Sequence, residues 1–121
     1  MIIKKRTRKF KVNFDLKISD RGDISLSENE MINLITKGKK NEIVAKKWGF
    51  YLTPSINKRL IHNGFRCAII VNQKKKFFLT LVVNNKKSLK NFKSYLRKDK
   101  QKLVTYLSNK KLTELLSEKN N

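Results

Sequence analysis

The sequence predicts an α+β fold, in which a single domain has a largely antiparallel sheet with two or three helices packed on it. The chain has 121 residues, of which 39% are apolar, enough for one core of ordinary size. Apolar and polar residues alternate as in strands near the start, and the last third has the period of a helix. We expect a loose basic arm at 1–8, the domain at 9–118 and a polar tail at 119–121.

The clearest alternation lies in "KFKVNFDLKI", residues 9–18. Five apolar side chains fall on one side of this segment, which predicts a half-buried strand. The next residues, "SDRGD", are typical of a turn. Ile24 and Leu26 then indicate a short partner strand.

Residues 27–38 fit two local structures. Ser27 with Glu30 resembles a capping box, and the apolar residues after it would form one face of a helix that ends at Gly38. Alternatively, "INLIT" and "EIVAKKW" flank "KGKKN" as two strands flank a hairpin loop. We favour the hairpin.

Two short apolar runs, "FRCAIIVN" and "KFFLTLVVN", are separated by "QKK". They predict a β-hairpin buried on both faces at the centre of the sheet. Farther along, Ser88 is a candidate cap for a helix with Leu89, Phe92 and Leu96 on its inner side. "KLVTYL" follows as a strand, and "SNKKLTELLSEK" as a final helix with its leucines, Leu112, Leu115 and Leu116, turned inward.

A further helix is predicted between Thr53 and Gly64. Thr53 with Pro54 is a strong start signal, and Gly64 provides the left-handed stop. The free amides of a first turn attract anions, so this helix start is a candidate anion site. The candidate anion-binding residues are Thr53, Ser55, Asn57 and Arg59. Alternatively, the hydroxyls only cap the helix and Arg59 is solvated.

Three aromatic residues, Trp48, Phe50 and Tyr51, precede that helix. Exposed rings beside cations can stack on nucleic-acid bases. Such clusters more often belong to a core, and we expect at least two of these three rings to be buried.

Charge is the strongest bulk feature, with 30 Lys and Arg against 9 Asp and Glu, for a net charge of +21. No acidic residue occurs from Ile43 to Lys98. A surface with so few counter-charges favours an anionic partner. A/T-rich codon usage is the alternative explanation, because it adds lysine without selecting a ligand. The candidate nucleic-acid contacts are Lys46, Lys47, Lys58, Arg59, Arg66, Lys74, Lys75, Lys76, Lys90, Lys93 and Arg97.

The pattern "WGFY-TPS-N-RL", followed by "GFR" and an apolar strand, resembles a family of small uncharacterised bacterial proteins. The resemblance covers roughly residues 42–107. That family is loosely associated with surface-glycan biosynthesis neighbourhoods and has no assigned activity, so the resemblance implies no catalytic residue. The present chain differs from the family in its far heavier lysine content.

The sequence offers little for catalysis. His62 suits a helix C-terminus, Cys67 suits a buried strand, and no phosphate-binding glycine loop is present. We therefore predict no enzyme activity, catalytic residue, metal or cofactor. No apolar run suits a membrane span and the lone cysteine fits a reducing compartment, so a cytoplasmic location is expected.

Two functions remain open. The favoured one is a small basic nucleic-acid-binding protein that contacts phosphates of RNA or DNA with little sequence preference. The alternative is a non-catalytic accessory or binding protein for a small anionic ligand, such as a phosphorylated sugar in glycan biosynthesis.

Overall fold

A computed structural model describes residues 1–12, 16–53 and 64–119 of the chain. Within these ranges the class is α+β, with mostly antiparallel strands and two helices, as the sequence predicted. The strands are β1 (Ile2–Lys11), β2 (Lys17–Ser25), β3 (Met31–Thr36), β4 (Lys39–Lys46), β5 (Gly49–Leu52), β6 (Phe65–Val71), β7 (Phe77–Val83) and β8 (Lys102–Tyr106). The helices are α1 (Lys86–Lys98) and α2 (Asn109–Lys119). The helix expected after Thr53 lies outside the described residues.

The contacts within the chain group it into two compact units. The first unit comprises Met1–Ile32 and Ile43–Tyr51, and the second comprises Asn33–Glu42 and Leu52–Asn121. The sequence had indicated one domain over 9–118, because no glycine- or proline-rich linker separates two parts. The bounds of that domain stay a prediction.

In the first unit, β1 and β2 form a two-stranded antiparallel ribbon. Residues 1–8, expected to be a loose arm, supply most of β1, and "SDRGD" continues β2 instead of turning the chain. Carboxylates of β2 stabilise the arm in the ribbon. The Arg6 Nε lies 2.8 Å from an Asp20 oxygen, and its terminal amino group pairs with Asp23. The basic arm is thus paired with β2 along its backbone, and two acids of β2 partner Arg6.

The Asp20 carboxylate makes the stability of the ribbon depend on pH. The backbone N–H of Gly22, and then Arg6, hold the pKa of Asp20 below its ordinary value. A lowered pKa in the folded state stabilises the ribbon above the unfolded pKa, and this contribution disappears as the pH falls through the folded value. We therefore expect amide protection in β1 and β2 to decrease below about pH 4.

Hydrogen exchange followed by NMR measures this acid response, and Asp20→Asn is the control. The variant should show weaker ribbon protection at neutral pH and a flatter acid response. Equal protection profiles for the two proteins would show that Asp20 does not couple the ribbon to pH.

The second sheet has the strand order β3-β4-β5, which confirms the hairpin prediction for this region. Its turn contains Lys37 and Gly38, both with positive φ. The Glu30 carboxylate accepts a hydrogen bond from the Ser27 N–H at 2.7 Å, the contact of a capping box. The chain nevertheless continues as β3, so the local capping signal does not determine the structure that follows.

The third sheet has the order β7-β6-β8, with antiparallel pairing on both sides of β6. The core of the second unit centres on this strand, where Phe65, Cys67 and Ala68 are buried. The predicted β6–β7 hairpin is confirmed. Full burial of the hairpin is not, because β7 is the edge strand, and Phe77 and Leu79 are 65% and 62% exposed.

Helix α1 begins earlier than predicted. The Asn85 side chain accepts from the Ser88 N–H at 2.7 Å and caps the helix, whereas Ser88 is buried within the first turn. Leu96 is buried on the inner side as expected.

Helix α2 forms where it was predicted, but two of its leucines differ from the prediction. Leu115 and Leu116 are 47% and 62% exposed, while Leu112 is half-buried. Their spacing is helical, yet the described elements do not cover them. Over the described ranges, neither helix is long and apolar enough to cross a membrane.

Candidate nucleic-acid interface

The β6–β7 turn presents the predicted cations Lys74, Lys75 and Lys76, which are all exposed. Asn72 shapes this turn. Its side-chain oxygen accepts from the N–H groups of Lys74 at 3.0 Å and Lys76 at 2.9 Å. Lys75 has a φ of +61°. The backbone N–H groups of this turn are thus bonded within it, and the three lysine side chains are not needed to satisfy them.

A cavity of about 680 Å³ lies beside this turn. Lys75 lines it together with Lys100 and Lys102 from the α1–β8 corner, and Val71 and Phe77 add apolar walls. Sequence analysis did not select Lys100 or Lys102, because it considered charge mainly within the acid-free segment. Antiparallel pairing of β6 with both neighbours brings the two corners together.

Helix α1 carries another group of predicted cations. Lys90, Lys93 and Arg97 are exposed, and the first turn contains no acidic residue. The Arg97 guanidinium lies 3.4 Å from the Ser94 hydroxyl, a neutral partner. These charges therefore remain available to an anion.

Arg66 differs from the other predicted contacts. It is half-buried on β6, and its guanidinium carbon lies 3.8 Å from the centre of the Tyr106 ring. This cation–π contact gives Arg66 a packing role between β6 and β8. Its contact with nucleic acid stays a prediction.

In the first unit, Lys46 and Lys47 end β4 and begin the turn to β5. The Lys46 ammonium donates to the Asn29 side-chain oxygen at 2.5 Å, so this contact does not neutralise its charge. Lys47 is exposed.

The aromatic residues of this turn correct the sequence-based prediction of burial. Trp48, Phe50 and Tyr51 are 71%, 63% and 42% exposed. The prediction was wrong because the described residues leave the rings of this turn and of the short strand β5 largely uncovered.

The ribbon contains a further cationic face, whose lysines are not among the candidate contacts selected from the sequence. Lys9 pairs with Ser19 and Lys11 pairs with Lys17. Because paired residues and their second neighbours share a face, Lys9, Lys11 and Lys17 lie on one side. Arg8 and Phe10 lie on the other, with the guanidinium carbon 4.9 Å from the ring centre. The alternating lysines of "KFK" were the available signal.

The predicted anion site is represented by Thr53 alone. The Thr53 hydroxyl donates to the Glu42 carboxylate at 2.5 Å, so a carboxylate occupies the donor that an anion would need. Ser55, Asn57, Lys58 and Arg59 lie outside the described residues, and their assignments stay predictions. His62 does too.

Cys67 is described and buried, and burial raises the pKa of its thiol. Such a thiol is a poor nucleophile because it stays protonated. This agrees with its expected role as a small core residue.

Several carboxylates are occupied by structural partners. Asp20 pairs with Arg6 and Arg8, and Glu30 pairs with the N-terminal ammonium group. Asp99 accepts from the Gln101 amide at 3.0 Å. These acids thus support local structure.

No protein-family model, curated protein or solved structure matches this chain. Function must therefore be argued from the residues themselves.

Proposed function

We propose that this protein binds nucleic acid through the phosphate backbone, with little dependence on base sequence. The observation that carries the proposal is the cationic surface of the second unit. The β6–β7 turn and the α1–β8 corner place Lys75, Lys100 and Lys102 around one cavity, within a chain whose net charge is +21. A polyanion relieves the mutual repulsion of such groups and releases its counterions on binding.

The proposal assigns positions to the remaining cations. Helix α1 directs its exposed Lys90, Lys93 and Arg97 toward the backbone of the bound strand. The ribbon face with Lys9 and Lys11 contributes separately. Such contacts position the nucleic acid and carry no sequence information. A cytoplasmic location and kinship with the glycan-associated bacterial family are part of the same proposal.

A second candidate is supported by the size of the cavity. A volume of about 680 Å³ falls within the range of small-molecule sites, and three lysines line this cavity. A small anionic ligand such as a phosphorylated sugar would suit it. In this second candidate the small anion would bind in the cavity, and not at the helix start suggested by the sequence.

Neutralising two lysines of the β6–β7 turn tests the proposal. The Lys75→Gln, Lys76→Gln double variant should bind a labelled single-stranded oligonucleotide roughly tenfold more weakly at moderate salt, because each lost phosphate contact removes its counterion release. Fluorescence anisotropy measures the affinity. The Lys110→Gln, Lys111→Gln double variant is the charge-matched control, since these exposed lysines lie on α2.

Equal weakening by the two double variants would mean that net charge alone sets the affinity, against the proposed surface. Absence of any oligonucleotide binding, together with saturable binding of a phosphorylated sugar that the turn variant loses, would replace the proposal by the second candidate.

A further inference from the structure

We infer that Trp48 and Tyr51 form a stacking platform for unpaired bases, so that the protein prefers single-stranded nucleic acid to duplex. The inference rests on the proposed function and adds the class of ligand. It is carried by the exposure of the rings, their mutual geometry and the charge beside them.

Exposure is the first step. Trp48 is 71% exposed and Tyr51 is 42% exposed. Large aromatic side chains usually give up most of their surface to a core or an interface. Two exposed rings that contact each other therefore indicate a surface that a ligand covers.

The geometry of the rings is the second step. The ring centres of Trp48 and Tyr51 are 6.1 Å apart, and the ring planes differ by 22°. The two rings are thus nearly parallel and offset, an arrangement that stabilises the orientation of each ring. Their orientation is set before a ligand arrives, so less side-chain entropy is lost on binding.

The charge beside the rings identifies the ligand. Lys46 and Lys47 directly precede Trp48, and the Lys46 ammonium contacts a neutral amide oxygen. No acidic residue occurs from Ile43 onward through the platform. A ligand that offers aromatic faces and negative charges at short, regular spacing suits this surface, and nucleic acid has that chemistry.

The preference for single strands follows from access. In a duplex the faces of the bases are covered by their stacked neighbours, so a protein ring reaches them only where the bases are unpaired. Single-strand binders combine a basic groove with aromatic side chains in this way, and the stacking tolerates any base. The platform therefore adds affinity without adding sequence preference.

The single tryptophan of the chain reports directly on this platform. We would titrate the full-length protein with a thymidine oligonucleotide and with a duplex of the same length at equal salt, following tryptophan emission and the anisotropy of the labelled nucleic acid. Stacking on Trp48 should quench its emission with the single strand and leave it nearly unchanged with the duplex.

Variants separate stacking from charge. Trp48→Ala should weaken single-strand binding about tenfold to a hundredfold and change duplex binding by less than about twofold, while Trp48→Phe should retain most of the affinity. Phe78→Ala is the control, because Phe78 is a 45% exposed ring on β7, outside the platform. It should bind as the unaltered protein does.

The inference and the proposed function can fail separately. Salt-sensitive binding of both nucleic acids without quenching, and with Trp48→Ala unchanged, would overturn the platform and leave phosphate binding intact. Absence of binding to either nucleic acid would overturn both. Tryptophan emission that depends on protein concentration in the absence of nucleic acid would show that a second copy of the chain covers the rings, and would also overturn the inference.

Discussion

Replacing Gly22 with alanine is expected to disrupt the pairing of β1 with β2. Gly22 has a φ of +125°, a conformation that residues with a Cβ rarely adopt. An added Cβ would overlap the carbonyl oxygen of Lys4 and lie 2.9 Å from the Cα of Lys5. Both are backbone atoms that cannot turn aside. The register also shifts between Lys5 and Arg8, so this part of the ribbon depends on an irregular geometry.

The expected loss of stability is large for a ribbon of only two strands. Backbone strain alone costs about 1–3 kcal/mol at such a position, and the overlap with Lys4 adds to it. Two-stranded ribbons are only marginally stable on their own. We expect the cross-strand contacts of β1 and β2 to disappear from NMR spectra and the amide protection of the ribbon to be lost.

Gly49→Ala is the matched control. Gly49 has a φ of +141°, close to that of Gly22, but an added Cβ would meet no atom within 4 Å. This variant introduces the backbone strain without the overlap. It should therefore destabilise the protein clearly less than Gly22→Ala does. Equal effects of the two substitutions would show that overlap with Lys4 is unimportant.

Hairpins were the features that sequence could predict best. The β3–β4 and β6–β7 hairpins form where polar turn residues separate apolar runs, because the alternation of the runs and the chemistry of the turn favour the same structure. The capping contact of Ser27 with Glu30 is present as well. The capping contact thus forms without starting a helix, and the hairpin that the sequence favoured follows it.

Other features depended on pairing between distant residues. The basic arm is a strand paired with β2, and Arg6 pairs with Asp20 and with Asp23, which is seventeen residues away. Trp48 and its neighbours were expected in the core because aromatic residues usually lie there. They are exposed because the described residues do not pack over them, and the local sequence does not encode which elements pack together.

The candidate surface was predicted in part for the same reason. Lys74, Lys75 and Lys76 were found from their place at a hairpin turn. Lys100 and Lys102 were not, since their proximity to Lys75 arises only when β6 pairs with both β7 and β8.

The second large effect concerns salt. If roughly six to ten phosphates are neutralised, the affinity should fall about 10³- to 10⁵-fold between about 50 and 200 mM monovalent salt, because each contact releases counterions into a solution that already holds more of them. A ligand recognised mainly by hydrogen bonds or apolar contacts would show a much weaker dependence.

The salt dependence of binding also tests the central claim most directly. This claim is that the ammonium groups of the chain bind a polyanion. The affinity for a labelled oligonucleotide would be measured by anisotropy at several salt concentrations. We predict a straight line of log affinity against log salt with a slope of roughly −4 to −9. A slope near zero, or no binding even at low salt, would contradict the account and leave the lysine excess to codon usage.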